Sequence, residues 1–284
     1  MRGGTVLWDA HWLGDSALWG SLGREMIGRW GKGDALPPTG PQAGAGLTPL
    51  ERLALDVLTE VLASGAASSS TDLFYSLSNT SLEGFPLELV KKPSPFTNCV
   101  PVQTHGVVGG LELVACAQER LAEGFPRAVC LAGGAHQGRE SSARLTQGAA
   151  AVALSLGTDR EKGLCRLEPV ELDRYDGVPD SGAQTDFLER VGRKATGGGR
   201  DTISAIVLNR PPDLKWQASL DAAARRVAPL ARRYVIPVDP ARQAGGLMLI
   251  MAGLTVATPR PQNPRLVLAV DQTGKAATVK ISPA

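Results

Sequence analysis

Few side chains in this sequence are equipped for covalent chemistry. It holds three histidines, His11, His105 and His136, and four cysteines, Cys99, Cys116, Cys130 and Cys165. A thiol becomes a useful nucleophile when an imidazole or a helix N-terminus stabilises its thiolate. Cys99 and His105 are the nearest such pair, but five residues intervene. At about 3.3 Å each in an extended chain they hold the two groups apart. His105 is therefore read as structural, and His11 and His136 as ordinary polar or capping groups. No C-x-x-C pair is present and the cysteines are widely spaced, so neither a zinc site nor a disulfide framework is expected, and no cofactor is implied. Gly106-x-x-Gly109-Gly110 lacks the spacing of a dinucleotide-binding turn, and Gly192 with Gly197 has no lysine to reach a phosphate. Arg225, Arg226, Arg232 and Arg233 could hold an acidic partner, or could be a solvated helix end that complements the helix dipole.

The elements that would carry these residues follow from periodicity. Thr5–Trp8 reads as a short strand, followed by an irregular Gly-, Trp- and Pro-rich stretch to Gly46. Thr48 caps a helix in which Leu50, Leu53, Val57, Leu58, Val61 and Leu62 recur at helical spacing. Asp72–Leu77 and Val100–Thr104 suit strands, the second a central one. The chain from Gly109 to Gly124 suits a helix whose first two turns are apolar all round and therefore buried. Ala128–Ala132 and Gly148–Leu154 read as central strands, and Gly197–Gly199 as a loop. Strand Ile203–Leu208, helix Leu220–Ala228, strand Tyr234–Val238, a helix from Ala244 to Leu254, and a hairpin of Leu266–Val270 with Ala277–Ile281 complete the chain. Strands and helices alternate in both halves, and Val100–Gly124 and Tyr234–Leu254 look like loose copies, so an α/β architecture is expected.

With 284 residues, 43% of them hydrophobic, the chain can bury a sizeable core. Thirty basic and 28 acidic side chains leave a formal charge of only +2, so no overall field draws it to nucleic acid or anionic membrane. The apolar stretch at Thr5–Trp8 is too short for a signal peptide or a spanning helix, and a cytoplasmic protein is expected.

The order of motifs resembles a known family. Val100-Pro-Val-Gln-Thr-His-Gly-Val-Val-Gly-Gly-Leu111, the helix to Gly124 and the strand ending at Gly133-Gly134 resemble the nucleophile elbow of β-ketoacyl-ACP synthases. Gln147–Leu154 resembles the family's next strand, and Asp239–Leu254 the segment carrying its second catalytic histidine. The resemblance implies a thiolase-like fold: two similar α/β halves, residues 1–160 and 161–284, forming one layered α-β-α-β-α sandwich. It also implies a cysteine at the start of the buried helix and two histidines for decarboxylation. Here the nucleophile position falls on Gly106 when the strand is matched, and on Val107 when the helix is matched. The first histidine position falls in Asn209-Arg210-Pro211-Pro212, and the second on Asp239 or Pro240.

A chain with this resemblance and without those groups is expected to be a non-catalytic subunit, similar to the chain-length factors that pair with an active ketosynthase. Gln103, His105 and Val108 would then lie at an interface or pocket, and the four arginines would face an acyl carrier protein. Two alternatives stand beside this. One is an acyl-transfer or hydrolytic enzyme using His105, Asn209 or Asp239; the other is a homodimeric structural or acyl-binding protein.

Overall fold

Several strands alternate side chains between two different apolar cores, so neither face is left for water. In the computed structural model, Ala128, Cys130 and Ala132 face one core while Val129 and Leu131 face another. Ala205 and Val207 likewise face the first core, and Ile206 and Leu208 a third. Period-2 runs of Val, Leu, Ile and Ala with no polar phase produce this arrangement, as in sheets covered by helices on both sides. The structure describes residues 5–14, 49–63, 71–77, 96–135, 149–158, 163–178, 180–197, 203–237, 244–256 and 263–284. The expectations at Thr48, Leu62, His136, Gly148, Asp239 and Pro240, and the irregular stretch from residue 15 to Gly46, concern side chains or segments outside this description.

Among the described residues there are eleven strands and five helices. The strands are β1 (Thr5–Gly14), β2 (Thr71–Leu77), β3 (Phe96–Pro101), β4 (Arg127–Ala135), β5 (Ala149–Gly157), β6 (Cys165–Leu167), β7 (Glu171–Arg174), β8 (Ala205–Asn209), β9 (Arg232–Ile236), β10 (Arg265–Val270) and β11 (Lys275–Ser282). The helices are α1 (Pro49–Ala63), α2 (Gly106–Ala122), α3 (Ser181–Ala195), α4 (Leu214–Val227) and α5 (Ala244–Thr255).

The strand order is β3-β2-β4-β5-β1-β6-β11-β10-β8-β9, with β7 also paired to β11. β2 runs parallel to β3 and β4, and β5 is antiparallel to β4 and β1. The second half repeats this: β8 runs parallel to β9 and β10, and β11 is antiparallel to β10 and β7. β6 pairs with both β1 and β11, and so joins the two half-sheets into one.

Three cores separate five layers. Leu50, Leu53, Val57, Leu58 and Val61 of α1 cover the outer face of the first half-sheet. α3 and α4 cover the outer face of the second with Phe187, Leu188, Val191, Trp216 and Leu220. Between the half-sheets lie α2 and α5. All twelve residues of α5 are buried, as expected of a helix apolar on every side. Its C-terminal carbonyls are met by the buried Arg265, whose Nη1 donates to Leu254 O at 3.1 Å and also to Gly253 O, a cation at the negative end of the helix dipole. The layered α/β sandwich expected from the sequence is the fold observed.

Several boundaries differ from expectation. The strand expected at Val100–Thr104 lies earlier, at Phe96–Pro101, and among the described residues it ends the sheet rather than lying at its centre. Val102 leaves it with its N–H bonded to Tyr75 O at 2.9 Å. β1 continues through Asp9 and His11 to Gly14, past a register shift between Leu7 and Asp9. α4 begins at Leu214 rather than Leu220 because the Asp213 carboxylate caps it by accepting from Lys215 N. Helix α3 and strands β6 and β7 have no counterpart in the sequence reading.

Candidate functional site

The parallel strands of each half deliver a buried helix to their C-terminal rim, the end at which open α/β sheets present ligands. In the first half this is the turn from β3 into α2. Thr104 anchors it from beneath: its buried hydroxyl donates to Ser76 Oγ at 2.9 Å, at the end of β2. Gly109 packs on the same threonine, where a Cβ would lie 2.7 Å from Thr104 Cβ. His105 is the N-cap, with an extended backbone (φ −134°, ψ 145°) and an exposed side chain that makes no capping bond. Its carbonyl accepts from Gly109 N at 3.2 Å. Gly106 then opens the helix at φ +66°, in the left-handed region.

This geometry puts the α2 N-terminus, with first-turn N–H groups that have no intrahelical acceptor and with no acidic residue in that turn, at the rim. Such an end stabilises negative charge. α5 begins beside it: a Cβ at Gly246 would lie 2.3 Å from Val107 O and 2.8 Å from Leu111 N. The helices cross backbone to backbone because the residues at the crossing are small. Contacts across long sequence separations also fix α2, and local sequence does not reveal them. Glu112 pairs with Lys275 at the β10–β11 turn. Gln118 donates to Glu168 O at 3.0 Å and accepts from Val170 N at 2.9 Å. The paired Gly245-Gly246 inside an apolar helix was the one local sign of the crossing.

The side chains singled out in the sequence are distributed unevenly around this turn. Gln103 and His105 are exposed beside it, whereas Val108, expected at an interface or pocket, is fully buried in the central core. Val107 is fully buried as well. Asn209, at the end of β8, spends its amide on Val270: Nδ2 donates to the carbonyl at 2.8 Å and Oδ1 accepts from the N–H at 3.1 Å. It acts as a clamp between β8 and β10. His11 pairs with Asp9 at 2.8 Å on β1.

Neither of two central cysteines is suited to attack. Cys130 is fully buried and its thiol is pushed well above the ordinary range by desolvation. Burial pushes the Cys165 thiol up to about 12, against a small opposing effect of Arg265. Cys116 is half-buried, and desolvation together with Glu119 and Glu112 raises it too. The expected arginine patch is partly neutralised within the chain. Arg226 binds Asp186 at 2.7 Å and Glu189 at 3.3 Å, Arg225 binds Asp221 at 2.7 Å, and Arg233 binds Asp221 at 3.2 Å. Arg232 is exposed. No group of three or more His, Cys, Asp or Glu side chains that could hold a metal ion occurs among the described residues. No helix among them is long and apolar enough to cross a membrane.

Comparison with known proteins places this geometry. No protein-family model matches the sequence, and no curated protein does. Solved structures match along the whole chain. A ketosynthase from module 1 of the bacillaene synthase of Bacillus amyloliquefaciens FZB42 superposes with a TM-score of 0.66 at 11% identity, over 100% of this chain and 76% of that one. The ishigamide ketosynthase/chain length factor gives 0.62 at 18% identity, over 99% of both chains. A type II polyketide ketosynthase in complex with its acyl-carrier protein gives 0.65 at 10% identity, over 100% of both. The fold is that of the thiolase-fold ketosynthases.

Proposed function

We propose that this chain is a catalytically degenerate ketosynthase-like subunit that pairs with an active ketosynthase, in the manner of a chain-length factor in polyketide- or fatty-acid-type biosynthesis. The observation that carries the reading is the elbow itself. At the helix N-terminus where a ketosynthase-like chain needs its thiol, Gly106 has no side chain and Val107 is fully buried. Of the two alignments left open by the sequence, we assign the nucleophile position to Gly106, because it begins the helix at the turn whereas Val107 is enclosed in the core. Asn209 supports the same reading: its amide is occupied by Val270, so it is not available as a substitute catalytic group. Residues 1–160 and 161–284 are assigned as the two halves of one compact domain.

The partner surface we assign is the outer edge of β3. Thr97, Asn98, Val100 and Pro101 of this strand are exposed, and its only strand neighbour among the described residues is β2. An exposed strand at the end of the sheet among the described residues can pair with another chain, and β3 leads directly into His105 and the elbow. Either an active ketosynthase or a second copy would satisfy it, and an acyl carrier protein is the further partner the reading implies.

Three measurements test this. Incubation with acyl carrier protein bearing a radiolabelled acyl group should leave no acyl group on the chain, and stable labelling of any side chain would overturn the assignment of degeneracy. Co-expression with a ketosynthase encoded nearby, followed by native mass spectrometry, should give a 1:1 complex. Size-exclusion chromatography with light scattering should show the isolated chain self-associating, and a well-behaved micromolar monomer that ignores the ketosynthase would end the pairing hypothesis.

A further inference from the structure

Among the described residues, β9 ends the sheet on its other side. β9 has β8 as its only strand neighbour among the described residues, so one row of its backbone N–H and C=O groups faces outward. Its Val235 is 47% exposed, and it borders a groove of 370 Å³ between β9 and α4 whose apolar lining is Leu208, Leu214, Ala218, Leu220 and Val235. Leu214, the first residue of α4, is 77% exposed on the groove's lip. At the start of the strand the charge balance is uneven. Arg225 and Arg233 share the single carboxylate of Asp221, and Arg232 is exposed with no ion pair among the described residues.

We propose that the β9 edge is a docking site for an extended acidic segment of a partner protein, which adds to the sheet as a further strand. The backbone of the segment pairs with β9, an apolar side chain enters the groove at Val235 and Leu214, and one or two carboxylates meet Arg232 and Arg233. Strand addition supplies affinity through main-chain bonds and specificity through side-chain pockets. Charge complementarity selects the occupant, because two guanidinium groups on one carboxylate, with Arg232 exposed on the same strand, leave positive charge uncompensated. Arginine on an edge strand also discourages pairing with a like-charged copy of the same chain, which favours a foreign acidic segment over self-association here. This inference is independent of the β3 edge and of whether the elbow is active.

Fluorescence anisotropy of the full chain with a fluorescein-labelled peptide tests it. The peptide has alternating Thr and Val around one Leu, with two Glu at one end, and is used together with its reversed sequence. At least one of the pair should bind saturably, and its counterpart with Lys in place of Glu should not. Arg232→Glu and Val235→Asp change exposed positions and should each weaken binding by about 10-fold while leaving the circular dichroism spectrum unchanged. Absence of saturation at millimolar protein, equal binding by the Lys peptide, or indifference to both substitutions would overturn the proposal. So would binding of a folded acidic carrier protein at this edge without binding of either peptide.

Discussion

Replacing Gly246 by alanine tests the crossing of the two buried helices directly. The new Cβ would lie 2.3 Å from Val107 O, 2.8 Å from Leu111 N and 2.9 Å from Gly110 Cα. All three are backbone atoms of α2, so no rotamer change relieves the contact, and the helices must separate by about 1 Å to restore van der Waals distance. Both helices are enclosed by sheets, so that movement loosens the whole central core. Overpacking of this kind costs about 1–3 kcal/mol, towards the upper end when backbone must move. Alanine's helix propensity returns about 1 kcal/mol of this. A net loss of about 2 kcal/mol should lower Tm by roughly 3–4 °C at this chain length. Gly253→Ala is the internal control, because there the close atom is Ile281 Cδ1 at 2.6 Å, the far end of a flexible side chain. Calorimetry of the two variants should show Gly246→Ala clearly less stable than Gly253→Ala. Equal stabilities, or the reverse order, would refute the claim that α2 and α5 touch backbone to backbone.

Other perturbations read separate parts of the structure. Leu113→Asp places a carboxylate in the central core, where Leu113 is fully buried, and should cost roughly 3 kcal/mol or more by urea denaturation. Asn209→Ala leaves the N–H and carbonyl of Val270 without their partner, and should lose about 1–3 kcal/mol without changing the mass of any complex. Thiol titration of the native chain at neutral pH should leave Cys130 and Cys165 unmodified, and unfolding should release them; rapid native reaction at either would contradict their burial. The Lys194 ammonium, hydrogen-bonded to Asp173 at 2.9 Å, holds that carboxyl below its ordinary value. A depressed folded value means that the pair stabilises the protein above about pH 4 and that this is lost as pH falls through the folded value. The Tm difference between wild type and Asp173→Asn should therefore be small, reduced by salt and smaller in acid; a difference that grows on acidification would reverse the assignment.

Elements buried on all sides were the easiest to read from the sequence. β4, α5 and β10 are largely continuous apolar runs, and α1 shows its single apolar face. α3 was missed because only Phe187, Leu188 and Val191 mark its buried face, and Gly192 interrupts it where it lies against Val227. Its signal was Asp180, whose carboxylate caps it by accepting from Ala183 N. β3 was misplaced for a different reason. Val102 and Thr104 are apolar or buried like strand residues, but Thr104 is held by Ser76 and not by a sheet partner. At the site, the glycine at the elbow was legible by matching motifs, whereas its left-handed backbone was not. Nor could the sequence show that Asn209 and Val270, 61 positions apart, satisfy each other.

The placement of α2 and α5 in one central layer also bears on how the chain is made. α2 ends at Ala122, and the helix that covers it ends at Thr255. Roughly 130 residues must be translated in between, which at 5–20 residues per second takes between about 7 and about 27 seconds. During that interval the inner face of the first half-sheet, with Phe74, Cys130, Val152 and Leu154, and the first turns of α2 lack their cover. A nascent chain in this state presents a wide apolar surface beside β3. Its yield in a cell should therefore depend on holding chaperones and on the rate of elongation more than on the equilibrium stability of the finished sandwich.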